Sequence, residues 1–287
     1  MTTHAAMPVR HGLLSISAAA VAWGAGGAVA ALLMAAAGLG PVAVCAWRFA
    51  VAAGCLALLP GRGAAGPLRS AVLTGPGLAV SQCAYFGSVR YAGLGLGTLV
   101  TIGAGPVLTS LGAHLLLGER LTGRAVAANL LALGGLALLV AGPASGPRPV
   151  LGVALAVLAG AGQSGLTLWA RAGGTARAST GAFTTSLLCL LPLALAVDGG
   201  VLPSTGAPLP TAGALLFLGT VPTLLAYRWY FAGLATVPGT TAAVLVLLEP
   251  ATAAVLGVVC LGEPLTPALP AGSALLLTAI AALTRRR

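Results

Sequence analysis

Apolar runs of about 20 residues recur along the whole chain, broken at near-regular intervals by Gly, Pro and Arg. A helix rises ~1.5 Å per residue, so about 20 apolar residues cross a hydrocarbon layer of about 30 Å. The runs predict spans at about 13–37, 41–60, 70–89, 98–117, 123–141, 150–170, 180–198, 211–232, 239–261 and 267–284. They are continuously apolar instead of alternating, which fits helices and not the strands of a barrel. The connections are short and leave no room for a soluble domain. The first run follows Arg10 and His11 and has the outline of a signal peptide, but further spans follow, so it reads as a retained first helix. The expected fold is an all-α membrane protein with ten transmembrane helices.

Composition agrees. Of 287 residues, 58% are hydrophobic and 6% charged, with a mean hydropathy of +1.03. A soluble domain carries roughly a quarter charged residues, so lipid is the surface that this chain suits. The net charge of +10 comes from 14 basic residues, all of them Arg. They are scattered singly apart from Arg285, Arg286 and Arg287, which argues against nucleic acid and for topology signals near span ends. With the N-terminus in the cytoplasm, the inside holds Arg10, Arg62, Arg69, Arg120, Arg124, Arg171, Arg177 and the terminal trio. The outside holds Arg90 and Arg148, while Arg48 and Arg228 fall within spans. Both chain ends are therefore expected in the cytoplasm. Cys45, Cys55, Cys83, Cys189 and Cys260 lie in apolar runs without metal-ligand spacing and read as packing residues.

The halves match. Pro106 precedes Glu119 by 13 residues, within Gly118-Glu119-Arg120-Leu121-Thr122; Pro250 precedes Glu263 by 13, within Gly262-Glu263-Pro264-Leu265-Thr266. The offset between the copies is 144 residues, half the chain. Trp23 and Trp169 occupy the first span of each half. Five spans per half is odd, so the second copy enters the membrane from the other side. The expectation is two inverted five-helix repeats, residues 1–142 and 143–287, an arrangement used by secondary transporters.

The same residues carry a family resemblance. The stretch from Tyr85 through Gly97 and Pro106 to the first Gly-Glu pentapeptide is similar to the repeat of the EamA-type transporters, in the drug/metabolite transporter superfamily. The stretch from Tyr230 through Glu249-Pro250 to the second pentapeptide resembles it again. Trp23-Gly24 and Arg48-Phe49 also fit, and the resemblance covers the whole chain. It implies ten helices around a central cavity and roles in exporting amino acids and other metabolites. Pro264 departs from the first copy, where Arg120 stands.

Candidate site residues follow from depth. Glu249 lies about ten residues into span nine, ~15 Å deep, where a carboxylate must be paired, protonated or face a wet cavity. It could bind a proton or a substrate amine. Pro250 beside it frees a backbone carbonyl, and broken helices line transporter sites. Arg48, ~10 Å into span two, could pair with Glu249, bind a substrate carboxylate or bridge helix carbonyls. Arg228 can snorkel to the interface. Trp23, Gln82, Tyr85, Gln163, Trp169 and Tyr230 are polar-capable side chains within spans that could line a cavity for amphipathic metabolites, with interfacial anchoring as the alternative for the aromatics. Trp229 belongs with them. Pro106 reads as a kink helping to shape a gate. Glu119 and Glu263 read as structural, with Arg120 and Arg124 pairing locally and capping the next helix. Gly93-Leu94-Gly95-Leu96-Gly97 lacks the strand of a dinucleotide loop and reads as a flexible connection before span four.

Enzymatic readings find little material. His4 and His11 lie in the tail, His114 stands alone, Asp198 is the sole Asp, and no Gly-x-Ser-x-Gly elbow occurs. The expected function is secondary active export of amino acids or related small metabolites by alternating access, with proton coupling open. The alternative is a membrane-embedded enzyme or a lipid-handling protein. No cofactor, metal or nucleic acid is expected. The expected partners are a small-molecule substrate and the lipid bilayer of a bacterial cytoplasmic membrane, with the protein a monomer or homodimer.

Overall fold

The computed structural model describes residues 8–58, 68–92, 94–139, 147–172 and 180–261, with positions 271–272, 274–275, 277–279 and 281. His4, Arg62, Gly93, Arg177, the pentapeptide from Gly262 to Thr266 and the terminal Arg trio lie outside the described residues, as do the side chains of Arg69, Arg90 and Cys260.

Among the described residues every regular element is a helix. In chain order these are α1 (Val9–Ala37), α2 (Pro41–Leu58), α3 (Leu68–Ala92), α4 (Leu94–Leu117), α5 (Gly123–Leu139), α6 (Pro149–Arg171), α7 (Thr180–Val197), α8 (Pro208–Gly219), α9 (Ala226–Leu234), α10 (Gly239–Leu245) and α11 (Leu248–Leu261). The described positions from 271 to 281 are helical too. Six stretches are long and apolar enough to cross a membrane: Val9–Met34, Pro41–Leu58, Val100–Leu117, Pro149–Arg171, Thr180–Val197 and Pro208–Leu234. Large exposed side chains such as Leu14, Leu58, Leu115, Val150, Leu188 and Leu209 cover the outer faces. That is the inverse of a soluble surface and the requirement of a lipid one.

Two expected spans are interrupted, each at a proline. Proline has no N–H to give to the carbonyl four residues back. In the eighth, a π-helical segment, Thr220–Leu225, containing Pro222, joins α8 to α9. In the ninth, α10 stops at Leu245 and α11 starts at Leu248, two residues before Pro250. The Val246 carbonyl takes the Glu249 N–H at 2.9 Å across that break. Pro106, by contrast, lies inside α4, which is continuous from Leu94 to Leu117. The connection expected over Gly93 to Gly97 is shorter than the sequence suggests. Helix α4 begins at Leu94, and Gly97 is buried, so packing overrides the low helix propensity of glycine.

The bundle is held together mainly by contacts between elements before residue 140 and elements after residue 148. The most extensive are α3 with α6, α4 with α6, α2 with α7, α3 with α7, and α1 with α9 and α11. A single core cluster runs through α1, α2, α3, α6, α7, α8 and α9, and much of it is Ala: Ala19, Ala43, Ala46 and Ala52 among others. Small side chains let the backbones approach closely, which is how helices gain dispersion energy where lipid removes the hydrophobic driving force.

Each end of the bundle is tied across the same division. At the end where α1 begins, Arg171 Nη2 pairs with Glu119 Oε1 at 2.8 Å, and Arg171 Nη1 donates to the Leu234 carbonyl at 3.0 Å. The Gly118-Glu119-Arg120-Leu121-Thr122 pentapeptide thereby acquires a physical reading. Gly118 adopts φ +66, the left-handed conformation that ends a helix, and the Glu119 N–H returns to the Ala113 carbonyl at 3.0 Å. Glu119 then reaches α6, and the Thr122 hydroxyl accepts the Ala125 N–H at 3.2 Å to start α5. Glu119 thus makes a long-range pair with Arg171, and Thr122 is a cap of the next helix. At the opposite end, Asp198 Oδ2 accepts the Ala43 N–H at 2.7 Å, and the Trp47 indole donates to the Val201 carbonyl at 2.6 Å.

Candidate functional site

The site is assembled in the bundle interior from α1, α2, α3, α6, α9, the π-helical segment and α11. The break before α11 sets its first coordinate. Glu249 is the second residue of that helix and lies in its first turn. Unpaired amide groups at a helix N-terminus carry partial positive charge and favour a carboxylate there. Helix α1 reaches this turn because Gly24 has no side chain. A Cβ at that position would lie 2.5 Å from the Glu249 carbonyl oxygen and 2.7 Å from Thr252 Cβ.

The residue before Gly24 forms the wall. Trp23 is 9% exposed and meets Tyr227 edge-on at 5.3 Å and Tyr230 at 5.2 Å between ring centroids. Tyr227 continues to Phe183 and Phe231, and Phe183 stacks on Phe49 at 5.8 Å. The two tyrosines and Phe231 share one face of α9 at the i, i+3, i+4 spacing. Arg228 and Trp229 lie between them in sequence and are exposed. Tyr230 is fixed by its hydroxyl, 2.6 Å from Thr167 Oγ1. The Thr167 proton goes to the Gln163 carbonyl at 2.9 Å, so in the Tyr230 pair the phenol donates. The Trp23 indole N–H is buried without a hydrogen-bond partner.

Arg48 enters from α2. Its Nε donates to Thr223 Oγ1 at 3.1 Å, and Cys45 stands one turn earlier on α2. Cys45 Sγ in turn donates to Gln82 Oε1 of α3 at 3.5 Å. The same stretch of α1 meets both groups' supports: Gly24 packs on Glu249, and Gly26 packs on Pro222, beside the threonine that holds Arg48. No direct Arg48–Glu249 ion pair forms among the described residues. Opposite charges from the two halves thus lie near one another along α1 without neutralising each other by contact.

The structure brings Trp23, Arg48, Gln82, Gln163, Tyr230, Glu249 and Pro250 into this neighbourhood. Tyr85, half-buried, packs on Phe86 at 5.2 Å instead. Trp169, 146 residues after Trp23 and so out of step with the 144-residue offset, lines a separate apolar cavity of about 330 Å³ with Leu73, Gly77, Gly162, Gly165 and Leu166, between α3 and α6. Pro106 is buried in α4. Sequence reading missed Tyr227, Thr167, Thr223 and Cys45. The helical spacing of Tyr227 with Tyr230 was an available signal; the hydroxyls of Thr167 and Thr223 gave none, because threonine in apolar helices commonly bonds its own backbone.

A bundle with apolar outer faces and charged, aromatic and amide side chains gathered inside is an integral membrane protein. The chain belongs to the EamA-like transporter family, whose profile matches residues 10–141 and again residues 150–285. It is 32% identical over 205 residues to the uncharacterized transporter YwfM of Bacillus subtilis (strain 168), covering 70% of this chain and 68% of that one. It is 42% identical over 192 residues to the uncharacterized protein PA1977 of Pseudomonas aeruginosa PAO1, covering 65% and 63%. The fold matches one solved crystal structure with a TM-score of 0.78 at 24% identity, over 95% of this chain and 96% of the other. These relationships make the protein a membrane transporter of the drug/metabolite transporter superfamily and point away from an enzyme.

Proposed function

We propose that the protein is a secondary active transporter that exports amino acids or related small metabolites by alternating access between two inverted five-helix repeats, residues 1–142 and 143–287. The observation that carries this reading is that Arg48 and Glu249, from different halves, form no direct ion pair, while the Glu249 turn packs on Gly24 beside Trp23 of the aromatic wall. A zwitterion offers a carboxylate to the guanidinium, an ammonium to the carboxylate, and a side chain to Trp23, Tyr227 and Tyr230. Glu249 is also the group suited to carry a coupling proton, since a carboxylate at mid-bilayer alternates most readily between bound and neutral states when the cavity opens to either side.

The exchange of partners between halves supports the inverted arrangement. Under the 144-residue offset α1 corresponds to α6, α2 to α7, α3 to the α8–α9 span and α4 to the α10–α11 span. The contact of α3 with α6 then maps onto that of α9 with α1, and the contact of α4 with α6 onto that of α11 with α1; both members of each pair occur. In this reading the Glu119–Arg171 end is cytoplasmic, the Asp198 end is external, and both termini face the cytoplasm of a bacterial cell.

Reconstitution tests the proposal. Proteoliposomes are loaded with a mixture of ¹⁴C-labelled L-amino acids and efflux is followed with and without an imposed pH gradient. Efflux above that of empty vesicles, accelerated by the gradient and insensitive to it in Glu249→Gln, is expected. Efflux equal to that of empty vesicles, across amino acids and an extended set of amphipathic metabolites, overturns the substrate class.

A further inference from the structure

Arg48 and Glu249 form no direct ion pair, although Gly24 and Gly26 of α1 bring the Glu249 turn and Pro222 to neighbouring positions. Two opposite charges in a low-dielectric interior attract strongly, and a long Arg side chain has the reach to close on a neighbouring carboxylate. Such a pair would remove both charges from a ligand. The guanidinium is held elsewhere by its Nε, and the holding group is a threonine hydroxyl in the π-helical segment.

The direction of that hydrogen bond is set by the backbone. Pro222 brings no N–H to the Leu218 carbonyl, four residues back. The Thr223 hydroxyl donates its proton to this carbonyl at 2.7 Å. A hydroxyl has one proton and two lone pairs, so with the proton committed it can only accept, and Arg48 Nε donates at 3.1 Å. Thr223 is fully buried and Pro222 is buried beside it, so water does not compete for either bond. The π-helical turn, a feature that recurs at functional sites, thus converts a missing backbone N–H into a fixed acceptor for one arginine.

We infer that Thr223 is a positioning residue that anchors the Arg48 guanidinium away from Glu249, keeping both charges available to the transported molecule. The inference rests on the transport reading above for its purpose, and on the local geometry alone for its structural content. Its chemistry requires a hydroxyl at position 223 and a proline at 222. Serine satisfies the first; valine, of the same shape, does not.

The test has two arms, read on full-length protein. In the first, protein labelled with ¹⁵N-arginine in detergent micelles is examined by NMR, with the Arg48 Nε–H resonance assigned by its loss in Arg48→Lys. The resonance is expected to be protected from water exchange in the native protein and in Thr223→Ser, and to shift and lose protection in Thr223→Val. Glu249→Gln is expected to leave it in place in the native background but to move it in Thr223→Val, where Arg48 is free to turn to the carboxylate. In the second arm, efflux of the ¹⁴C-labelled amino-acid mixture is measured against concentration. Thr223→Val is expected to raise the half-saturating concentration roughly tenfold or more, the scale of a hydrogen bond to a charged group, with Thr223→Ser close to native. Pro222→Ala, which restores the backbone donor, should move both readouts in the direction of Thr223→Val and serves where the valine variant does not fold. An Arg48 resonance unchanged in Thr223→Val or in Pro222→Ala overturns the inference whatever the flux. Absent flux in the native protein, with the NMR pattern as expected, refutes the substrate class and leaves the anchor standing.

Discussion

Trp23 shows how one side chain can oppose stability to function. Its ring joins Tyr227 and Tyr230, and aromatic contacts of this kind contribute about 0.5–1.5 kcal/mol beyond area burial. Its buried indole N–H, however, has no partner, and an unsatisfied buried donor costs about 1–3 kcal/mol. Replacing it by Phe keeps most of the ring and removes the donor. Trp23→Phe is therefore expected to leave the thermal unfolding midpoint unchanged or raised, while the half-saturating substrate concentration rises several-fold because a ligand acceptor loses its donor. A lowered midpoint with unaltered efflux kinetics would show that the N–H serves neither purpose. Glu249 makes a related point. Its depth could be counted off the sequence, but its place in the first turn of a helix could not, because that depends on where the chain breaks ahead of Pro250.

At the scale of elements, a helix can be capped by a group from far along the chain. Helix α2 starts with Pro41, whose fixed φ suits the first helical position. The free N–H of Ala43, two residues on, is taken by Asp198, 155 residues later. A carboxylate at a helix N-terminus also meets the favourable end of the helix dipole. Asp198→Ala is expected to cost ~1 kcal/mol, the usual cost of deleting a capping group, read as a lowered unfolding midpoint of the purified protein. Asp198→Asn should recover most of it, since the amide oxygen can accept the same bond. No change in either variant would mean that the contact at this end is incidental. The interrupted helices belong to the same scale. Prolines 106, 222 and 250 all stand inside apolar runs, and only the last two coincide with a break or a π-helical segment.

For the whole molecule, the decisive feature is that the principal packing joins the first half of the chain to the second. Among the described residues both core clusters draw on each half; Phe49 meets Phe183, Trp23 meets Tyr227, and Glu119 meets Arg171. Fragments 1–142 and 143–287 expressed together are accordingly expected to co-purify as one folded unit, with each alone aggregating or being degraded. If either fragment by itself gave a monodisperse helical species, the division of the bundle into interdependent halves would be wrong. The same interdependence suits alternating access, since ties at the two ends, Arg171 with Glu119 and Asp198 with Ala43, lie between the parts that would move.

Apolar run length decided in advance that the chain would be a helical membrane bundle, because lipid admits few ways to satisfy a backbone and the sequence states the length of each apolar stretch. The 144-residue echo decided that the halves are related, and mid-span depth singled out Arg48 and Glu249, since an ionisable side chain among apolar neighbours is visible without coordinates. Which of these groups meet was settled only by folding. Trp23 came to meet two tyrosines from the other half of the chain, Glu119 paired with an arginine 52 residues away, and Thr223 gained an arginine partner that no local pattern announces. Periodicity fixes what faces away from lipid; the partner on the facing helix is a property of close approach between segments distant in the chain, and that is settled by tertiary packing.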